Sequence, residues 1–404
     1  MGVTGTNGKT SVTQYLAQAL NSLEQKTAVI GTLGAGFLGQ LKVTGFTTPD
    51  AAANHRICQE LHQQGAKALA IELSSHALDQ GRALGLQVNT AIITNLSQDH
   101  LDYHGTMAEY ALAKRKILDI PSLSTAIINA NDEFGQSCLQ YITQRQTQRA
   151  CKVWAYATDI QALQNLASLS DASVHHLLAT NIQTHSQGMS FELVLDQQSL
   201  GRVETSLWGQ FNISNLLAVA AALFARDYSV AQVMIALAKI EAVPGRLQRL
   251  PNTASQQPMV LIDFAHTPDA LQKVLETIQV VAKERQGRLC VVFGCGGDRD
   301  PIKRPLMGAI AEQLADLVML TSDNPRSEDP NSIITQIQSG ISQSERVKVN
   351  PDRATAILQI IRDAKPQDVI LIAGKGHEET QEIAGQKIPF SDYLHAQLAL
   401  GGVR

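Results

Sequence analysis

The chain has 404 residues, enough for roughly two or three domains that each bury their own core. Apolar residues make up 44% and charged residues 17%, a globular balance that excludes extensive disorder. The net charge of -4 and the isoelectric point near 6.3 argue against a nucleic-acid-binding protein, because phosphate backbones require a strong basic excess.

The five cysteines are odd in number and widely spread, and they contain no C-x-x-C pair. This usage favours a reducing compartment and argues against a disulfide framework or a zinc site. The longest apolar runs, such as residues 216–225, are too short to span a bilayer, and no apolar signal segment precedes the first glycines. We therefore expect a cytoplasmic protein.

Short β-branched runs alternate with helical patterns through the first half of the chain, as is typical of parallel α/β units. Apolar residues of the stretch 10–23 fall on one helical stripe. From about residue 175 to 207 the pattern changes to short alternating strands, which predict a small antiparallel edge. The parallel strand candidates are residues 27–31, 68–73, 90–94, 126–129 and 152–155.

The second half begins with a long buried helix within residues 208–229, a further helix at 230–240, and then a segment with the composition of a linker, 241–258. The alternation then restarts. We predict strands at 259–263, 289–293, 317–321 and 369–373, and helices at 268–283 and 305–314. The fold class is therefore α/β, with a central domain of mainly parallel sheet (1–241) and a C-terminal Rossmann-like α/β domain (242–404).

The glycine-rich stretch near the N-terminus predicts a phosphate-binding loop. Small residues let backbone N–H groups approach phosphate oxygens, Lys9 adds positive charge, and a Thr10 or Ser11 hydroxyl can meet Mg²⁺. The strict G-x-x-x-x-G-K-[ST] pattern is not met, because Val3 takes the first glycine position, and an ordinary turn capping a helix is the alternative. The residues concerned are Gly5, Thr6, Asn7, Gly8, Lys9, Thr10 and Ser11.

Lys114 falls on the apolar stripe of a helix that also contains Tyr110 and Ile117. A lysine on a buried face often snorkels to solvent, which is one interpretation. The other is a functional amine, because a desolvated lysine has a lowered pKa and can react or be modified.

Two further side chains lie at the predicted carboxyl ends of parallel strands, where open α/β sheets bind ligands. Glu72 ends one strand, and His100 follows the next in the stretch NLSQDHLDYHG. Both could join the loop hydroxyl around a divalent cation, although a capping or structural role is an equal alternative for His100. Asp102 and His104 look like turn residues.

Four polar loops follow the strands of the second half. They are DFAHTPDAL with Asp263 and His266, GCGGDRDPIKRP with Arg299, Lys303 and Arg304, SDNPRSEDP with Arg326, and AGKGHEE with Gly374, Lys375, His377 and Glu378. A solvated surface could have this composition. The same loops are rich in glycine, which lets a ligand approach the backbone closely, and this combination favours a ligand site.

The order of these motifs resembles the Mur ligases, ATP-dependent amide ligases of peptidoglycan precursor synthesis and hence of cell-wall biogenesis, cell shape, cell division and the cell cycle. The resemblance covers the whole chain and is carried by TGTNGKT, IELSSH, NLSQDHLDYHG, the helix with Lys114, GQFNISN, PGRLQ, DFAHTPDAL, GCGGDRD, DNPR and GKGHE. It is strongest to the members that add meso-diaminopimelate to a UDP-muramoyl dipeptide.

The resemblance implies ATP and Mg²⁺ as cofactors. It implies that Lys114 is carbamylated to N6-carboxylysine and holds Mg²⁺ with His100, while Glu72 serves a second Mg²⁺ beside Thr10, so that Lys9, Glu72, His100 and Lys114 are catalytic. The ATP site would combine the glycine loop with the side chains of Asn215, Arg246, Asp263 and His266.

The two small-molecule substrates are implied to have separate sites. The UDP-muramoyl dipeptide would contact Thr47, Thr48, Ser74, Gln80 and Arg82. Diaminopimelate would contact Arg299, Asp323, Asn324, Pro325, Arg326, Gly374 and Glu378. Arg326 offers a planar fork for the second carboxylate that distinguishes diaminopimelate from lysine.

The implied reaction proceeds through an acyl phosphate, with residues 242–258 as a hinge. Family members also carry an N-terminal domain that grips the uridine nucleotide, and this sequence contains none. A nucleotide-binding form with little ligase activity and a lysine-adding homologue are the alternatives, and a folylpolyglutamate synthase is disfavoured by the DNPR and GKGHE stretches. We expect a monomer without nucleic-acid or membrane partners.

Overall fold

The structure is a computed structural model that describes residues 1–145, 151–164, 174–185, 187–251 and 256–401. The chain divides into two compact units. The first comprises Met1–Gln183 and Gly188–Glu241, and the second comprises Ala242–Arg404 together with the short stretch Thr184–Gln187. Within the described residues, no helix is long and apolar enough to cross a membrane.

The first unit is built on a ten-stranded sheet in the order β10-β9-β8-β7-β6-β5-β1-β4-β2-β3. Neighbours from β8 to β2 are parallel, whereas β3 is antiparallel to β2 and β10 to β9. The strands are β1 (Gly2–Thr4), β2 (Thr27–Gly31), β3 (Gly34–Phe37), β4 (Ala68–Glu72), β5 (Thr90–Ile93), β6 (Thr125–Asn129), β7 (Lys152–Ala157), β8 (Val174–His185), β9 (Gly188–Leu195) and β10 (Gln198–Thr205).

Helices cover this sheet, and the most buried of them is apolar around most of its circumference, as expected for a helix enclosed by other elements. The helices are α1 (Lys9–Ser22), α2 (Ala51–Gln63), α3 (Ser75–Asp79), α4 (Leu101–His104), α5 (Met107–Arg115), α6 (Glu133–Arg145), α7 (Ile160–Gln164), α8 (Gln210–Phe224) and α9 (Val230–Ala238), with a 3-10 turn at Lys116–Asp119. The enclosed helix is α8, which packs against α1.

The second unit contains a six-stranded sheet in the order β11-β12-β16-β13-β14-β15, parallel except for the short β11, and a separate antiparallel hairpin, β17–β18. The strands are β11 (Gln248–Arg249), β12 (Met259–Asp263), β13 (Leu289–Phe293), β14 (Leu317–Leu320), β15 (Val347–Val349), β16 (Val369–Ala373), β17 (Thr380–Ile383) and β18 (Gln386–Pro389). The helices are α10 (Pro268–Glu284), α11 (Lys303–Leu314), α12 (Pro330–Gln338), α13 (Arg353–Arg362) and α14 (Asp392–Gly401), with a 3-10 turn at Ser344–Arg346.

The predicted α/β class is confirmed, and the strands at 27–31, 259–263, 289–293 and 369–373 have the predicted bounds. The linker prediction for 241–258 is wrong for its described first part. Leu247 and Leu250 are buried, and β11 pairs with β12, so this segment belongs to the second sheet. Residues 252–255 lie outside the described residues. The antiparallel strands after residue 174 are also longer than predicted.

Candidate active site

The glycine-rich loop connects the central strand β1 to α1. Gly8 caps this helix with φ 85°, a left-handed conformation that favours glycine, and no side-chain hydrogen bond of the described residues caps the helix start. The helix N-terminus carries partial positive charge. Lys9 folds back over the loop, because its Nζ donates to the carbonyl oxygens of Gly5 at 2.8 Å and Thr6 at 2.9 Å. This is a geometry suited to an anion.

The residues after β5 hold this loop in place. Asn95 Oδ1 accepts the Asn7 N–H at 2.9 Å, and Asn95 Nδ2 donates to the Asn7 carbonyl at 3.0 Å. Thr6 Oγ1 accepts the Ser97 N–H at 3.0 Å and lies 3.1 Å from the Tyr110 hydroxyl. The loop is therefore ordered by its own neighbours, which reduces the entropic cost of binding.

Glu72 lies at the carboxyl end of β4, next to the loop, with only 1% of its surface exposed. Its Oε2 accepts hydrogen bonds from Thr10 Oγ1 at 3.0 Å and Thr32 Oγ1 at 3.1 Å. Its Oε1 accepts the Thr32 N–H at 2.9 Å. The strand-end argument predicted Glu72 near the hydroxyl of Thr10 or Ser11, and the structure pairs it with Thr10; a hydroxyl beside a carboxylate is a donor set that suits Mg²⁺.

Lys114 is 1% exposed, so the snorkelling interpretation is wrong. Its Nζ donates to the Gly5 carbonyl at 2.8 Å and lies 4.4 Å from the centre of the Tyr110 ring. Burial, reinforced by the charge of Lys9, holds the pKa of Lys114 well below its ordinary value. An amine so placed is readily neutral and can act as a nucleophile.

His100 adopts φ 53° at the start of α4, and its Nε2 lies 3.4 Å from Asp99 Oδ2. Burial lowers the pKa of His100; the charges of Lys9 and Lys114 act in the same direction, and Asp99 opposes them. A neutral imidazole can be a metal ligand. Within the described residues, no group of three or more His, Cys, Asp or Glu side chains is arranged to hold a metal ion. A metal ion bound to His100 would therefore need a further donor nearby, one that carries negative charge.

His104 differs from the expectation of a plain turn residue. Its Nε2 lies 2.9 Å from Ser75 Oγ, and its ring packs against those of His76 and Tyr110. Asp102 lies in the first turn of α4. Helix α4 therefore contributes His104 to a cluster of rings that also includes His76 and Tyr110 and lies beside His100.

The five residues predicted for the dipeptide are joined to Glu72 by a chain of hydrogen bonds. Thr47 Oγ1 is 3.1 Å from Thr32 Oγ1, and Thr48 Oγ1 donates to the Glu72 carbonyl at 2.7 Å and accepts the Ser74 N–H at 3.1 Å. Arg82 Nη1 donates to the Thr48 carbonyl at 3.0 Å.

Arg82 Nε and Nη2 both donate to Gln80 Oε1. These two side chains line an open cavity of about 390 Å³, whose lining residues are Phe46, Asp50, Ala51, Gln80, Gly81 and Arg82. The cavity thus presents an arginine fork and an amide next to the hydroxyl-rich stretch that leads to Glu72.

Asn215 lies on α8 against the glycine loop, where a Cβ added to Gly8 would lie 2.8 Å from its Oδ1. The other residues predicted for ATP belong to the second unit. Buried Asp263 accepts N–H groups from Leu247 at 2.6 Å and Ala265 at 2.8 Å, and its burial, opposed by Arg246, raises its pKa to about 6. The predicted contact of Arg246, Asp263 and His266 with a nucleotide stays a prediction.

Arg246 and His266 both contact Phe264. The Arg246 guanidinium is 4.6 Å from the centre of the Phe264 ring, and His266 Nδ1 is 2.8 Å from the Phe264 carbonyl oxygen. Arg246, Asp263 and His266 are thus neighbours within the second unit.

The DNPR segment follows β14 and meets the segment that follows β16. Asn324 Nδ2 donates to Glu378 Oε2 at 2.8 Å, and a Cβ on Gly374, whose φ is 112°, would lie 2.5 Å from Asp323 Oδ2. Burial raises the pKa of Asp323. Pro325 accepts the Glu328 N–H through its carbonyl at 3.0 Å.

Arg326 adopts φ 52° and is held by the β17–β18 hairpin: its N–H donates to the Glu382 carbonyl at 3.0 Å, and its carbonyl accepts the Ala384 N–H at 2.7 Å. Its Nη1 donates to the Gly297 carbonyl at 2.6 Å, and its Nε lies 3.6 Å from Glu382 Oε2.

The glycine loop after β13 and the first turn of α11 carry three cations of different character. Arg299 is exposed and contacts the Asp298 carbonyl at 3.2 Å. Lys303 donates to the His266 carbonyl at 2.9 Å. Arg304 is 1% exposed and forms a two-point contact with Glu328, so it stabilises the fold and does not line the surface.

Two residues that contact the predicted sites were missed from the sequence. Thr32 follows the carboxyl end of β2, and Glu382 lies in the unpredicted hairpin. The strand-end rule that selected Glu72 would also have found Thr32. Nothing in the polar sequence of the hairpin indicated Glu382.

Comparison with known proteins shows two family matches. Residues 3–223 match the Mur ligase middle domain, and residues 245–376 match the Mur ligase, glutamate ligase domain. The chain is 46% identical over 402 residues to the UDP-N-acetylmuramoyl-L-alanyl-D-glutamate–2,6-diaminopimelate ligase of Ralstonia nicotianae, covering 99% of this chain and 75% of that protein. It is 45% identical to the protein of the same name from Ectopseudomonas mendocina, covering 99% and 77%.

Solved structures agree with these matches. A UDP-N-acetylmuramoyl-L-alanyl-D-glutamate–2,6-diaminopimelate ligase structure aligns with a TM-score of 0.67 and 36% identity, over 99% of this chain and 77% of that chain. The UDP-N-acetylmuramate-alanine ligase MurC of Thermotoga maritima aligns with a TM-score of 0.66 and 18% identity, over 99% and 74%, which shows likeness of fold alone.

Proposed function

Because the chain belongs to the Mur ligase family of ATP-dependent, ADP-forming amide ligases, we propose that it adds meso-diaminopimelate to UDP-N-acetylmuramoyl-L-alanyl-D-glutamate. The observation that carries this proposal is the 46% identity, over 99% of the chain, to a relative named for these two substrates. The reaction is a step of peptidoglycan precursor synthesis.

The first unit, residues 1–241, is proposed to bind ATP and the dipeptide. The ordered glycine loop, the N-terminus of α1 and Lys9 support phosphate binding, since they bring N–H groups and positive charge together. The partly exposed hydroxyl of Thr47 and the guanidinium of Arg82, which lines the open cavity and is held by the Thr48 carbonyl, support binding of an anionic dipeptide.

In the proposed first step, a γ-carboxylate oxygen of the D-glutamyl residue attacks the γ-phosphorus of ATP. The bond to the bridging oxygen breaks, ADP leaves, and an acyl phosphate forms. Lys9 neutralises charge that builds up on the phosphoryl oxygens. Arg82 and Gln80 hold the far part of the dipeptide, so that the carboxylate is oriented toward the loop.

Mg²⁺ is proposed to bind through Glu72 and the Thr10 hydroxyl, and at a second position through His100 and a carbamate on Lys114. A neutral, buried amine is what carbon dioxide requires to form a carbamate, and a neutral His100 beside it is a compatible ligand, so both side chains fit the group. When bound, Mg²⁺ would supply charge neutralisation for the transferred phosphoryl group.

The second unit, residues 242–404, is proposed to bind diaminopimelate and to perform the second step with it. The amine nitrogen attacks the carbonyl carbon of the acyl phosphate, the amine loses a proton, and inorganic phosphate leaves. Asp323 and Glu378 are acids suited to an ammonium group, Arg299 and Arg326 are cations suited to carboxylates, and Asn324, Pro325 and Gly374 complete the segment.

Arg326 is the residue proposed to select diaminopimelate over lysine. Within the described contacts its guanidinium uses Nη1 for the Gly297 carbonyl and Nε for Glu382, which leaves Nη2 for a carboxylate. Lysine lacks the carboxylate that would occupy this position. Removing the arginine should therefore reduce use of diaminopimelate and leave use of lysine nearly unchanged.

The test is phosphate release with ATP, the UDP-muramoyl dipeptide, and either diaminopimelate or lysine. We expect release with diaminopimelate, and a loss on the order of 2–4 kcal/mol, roughly 30- to 1000-fold in kcat/KM, for Arg326→Ala. The exposed Arg362 of α13 offers a matched control, since Arg362→Ala removes the same charge elsewhere in this unit. Preference of the unmodified protein for lysine, or no release with either amino acid, would overturn the proposal.

A further inference from the structure

Lys375 places an ammonium group where solvent does not reach it, with 0% of its side chain exposed. Its Nζ donates to Asn324 Oδ1 at 2.9 Å and to Glu378 Oε2 at 2.7 Å. Asn324 Nδ2 donates to the same Glu378 oxygen at 2.8 Å. The three side chains form a closed triangle, and Lys375 is its buried corner.

A second buried ion pair in the same unit shows what a purely structural pair looks like. Arg353 and Asp392 are both 0% exposed, and each carboxylate oxygen of Asp392 accepts a guanidinium N–H, at 2.7 and 2.8 Å. Both partners are sealed, and every charge-bearing oxygen is used. Such a pair links α13 to α14 and has no atom left for a ligand.

The Lys375–Glu378 pair differs from this one in the exposure and the hydrogen bonds of its carboxylate. Glu378 is 33% exposed, and both hydrogen bonds converge on Oε2. In the part of the chain that the structure describes, Oε1 accepts no hydrogen bond. Lys375 thus anchors one oxygen of a carboxylate whose other oxygen stays available, which is the arrangement expected of a side chain held ready for a ligand.

Lys375 also acts on the charge of its neighbours. Burial by itself would raise the pKa of Glu378, but the charge and hydrogen bond of Lys375, together with Asn324, outweigh it and hold that pKa below its ordinary value. At Asp323, burial raises the pKa, and Arg353 and Lys375 oppose the rise. Without Lys375, both acids would be harder to ionise.

We propose that Lys375 is a positioning residue for the amino-acid substrate: it locks Asn324 and Glu378 into one unit and thereby sets the affinity for an ammonium-bearing amino acid. The inference rests on the proposed function to the extent that Asn324 and Glu378 contact that amino acid. Lys375 itself is sealed from solvent, so it acts through these two side chains and not by direct contact.

The test compares Lys375→Met with the unmodified protein in the phosphate-release assay, with diaminopimelate varied and ATP and dipeptide saturating. We expect the KM for diaminopimelate to rise roughly 30-fold or more, the loss typical of a broken buried charge pair, while the KM for ATP changes less than about twofold. Lys348→Met is the matched control, because Lys348 forms a half-exposed pair with Asp363 at 2.8 Å on the edge strand β15.

The pH dependence separates positioning from simple stabilisation. In Lys375→Met, Glu378 loses the neighbour that keeps it ionised, so the KM for diaminopimelate should rise more steeply as the pH falls from about 7 to 5 than it does in the unmodified protein. A variant with a lower melting temperature but an unchanged KM and the pH profile of the unmodified protein would reduce Lys375 to a structural role and overturn the inference.

Lys375→Gln covers the case in which the methionine variant does not fold. Its amide can still donate to Glu378 but adds no charge, so we expect a smaller rise in KM with the same acid dependence. Failure of the unmodified protein to use diaminopimelate refutes the proposed function. An active protein whose Lys375→Gln variant matches it at every pH refutes this inference alone.

Discussion

Thr32 provides the sharpest test of how the site around Glu72 is assembled. Its hydroxyl donates to Glu72 Oε2 at 3.1 Å and lies 3.1 Å from Thr47 Oγ1, so it connects a proposed metal ligand to a proposed substrate contact. Valine has nearly the same shape and lacks the hydroxyl. We predict that Thr32→Val lowers kcat/KM without unfolding the protein.

The magnitude follows from the contacts that remain. A hydrogen bond to a charged acceptor contributes about 1.5–3 kcal/mol, and one between neutral groups about 0.5–1.5 kcal/mol. In the variant, Glu72 keeps its hydrogen bonds from the Thr32 N–H at 2.9 Å and the Thr10 hydroxyl at 3.0 Å. Thr47 is partly exposed, so water can replace its lost partner. The loss of free energy should therefore lie toward the lower end of the range for a charged acceptor. We expect about 2 kcal/mol, roughly 30-fold in kcat/KM.

The assay is phosphate release at saturating ATP with the dipeptide varied. Thr32→Ser restores the hydroxyl and should recover most of the activity. Thr277→Val is the matched control, since Thr277 Oγ1 donates to the Lys273 carbonyl at 2.7 Å on the exposed side of α10. Wild-type kcat/KM in Thr32→Val would refute the claim that this hydroxyl orients Glu72.

Two further predictions concern buried titratable groups. Lys114→Ala should abolish phosphate release, and activity of the unmodified protein should fall when bicarbonate is removed; full activity of the alanine variant would exclude a carbamate at this position. Asp263 has a folded-state pKa of about 6, above the unfolded value near 3.9, so the folded state binds the extra proton and the free energy of unfolding should fall as the pH rises from about 4 to 6. Chemical denaturation of Asp263→Asn should lack this part of the slope, and an identical slope in both proteins would contradict the burial argument.

Much of the fold was predictable because its strands are buried on both faces. Residues 259–262 and 369–373 are continuous apolar runs; Asp263 ends the first strand, and Asp368 and Gly374 flank the second, and the structure gives both strands the predicted bounds. The rule that ligands gather at the carboxyl ends of parallel strands predicted Glu72 near the hydroxyl of Thr10 or Ser11, and the structure joins it to Thr10 at 3.0 Å.

Other elements gave no local signal. The strands of the 380–389 hairpin are short and polar and mostly exposed, so no alternation of apolar and polar residues marks them. Its role depends on a distant segment: Gln381 Nε2 donates to Ser322 Oγ at 2.9 Å and to the Asp323 carbonyl at 2.7 Å. A contact across that separation in sequence cannot be read from either stretch alone.

By itself, the sequence determined the class of fold, the ordered set of motifs and the residue types at each strand end, because these depend on local patterns of polarity and on glycine. Only the tertiary structure decided which charged side chains are buried and which groups they contact. Lys114 and Lys375 are both buried lysines, yet one donates to the carbonyl of Gly5 and the other to Asn324 and Glu378. The physical reason is that the desolvation of an ammonium group, and hence its pKa and chemistry, depends on the three-dimensional neighbours that replace water.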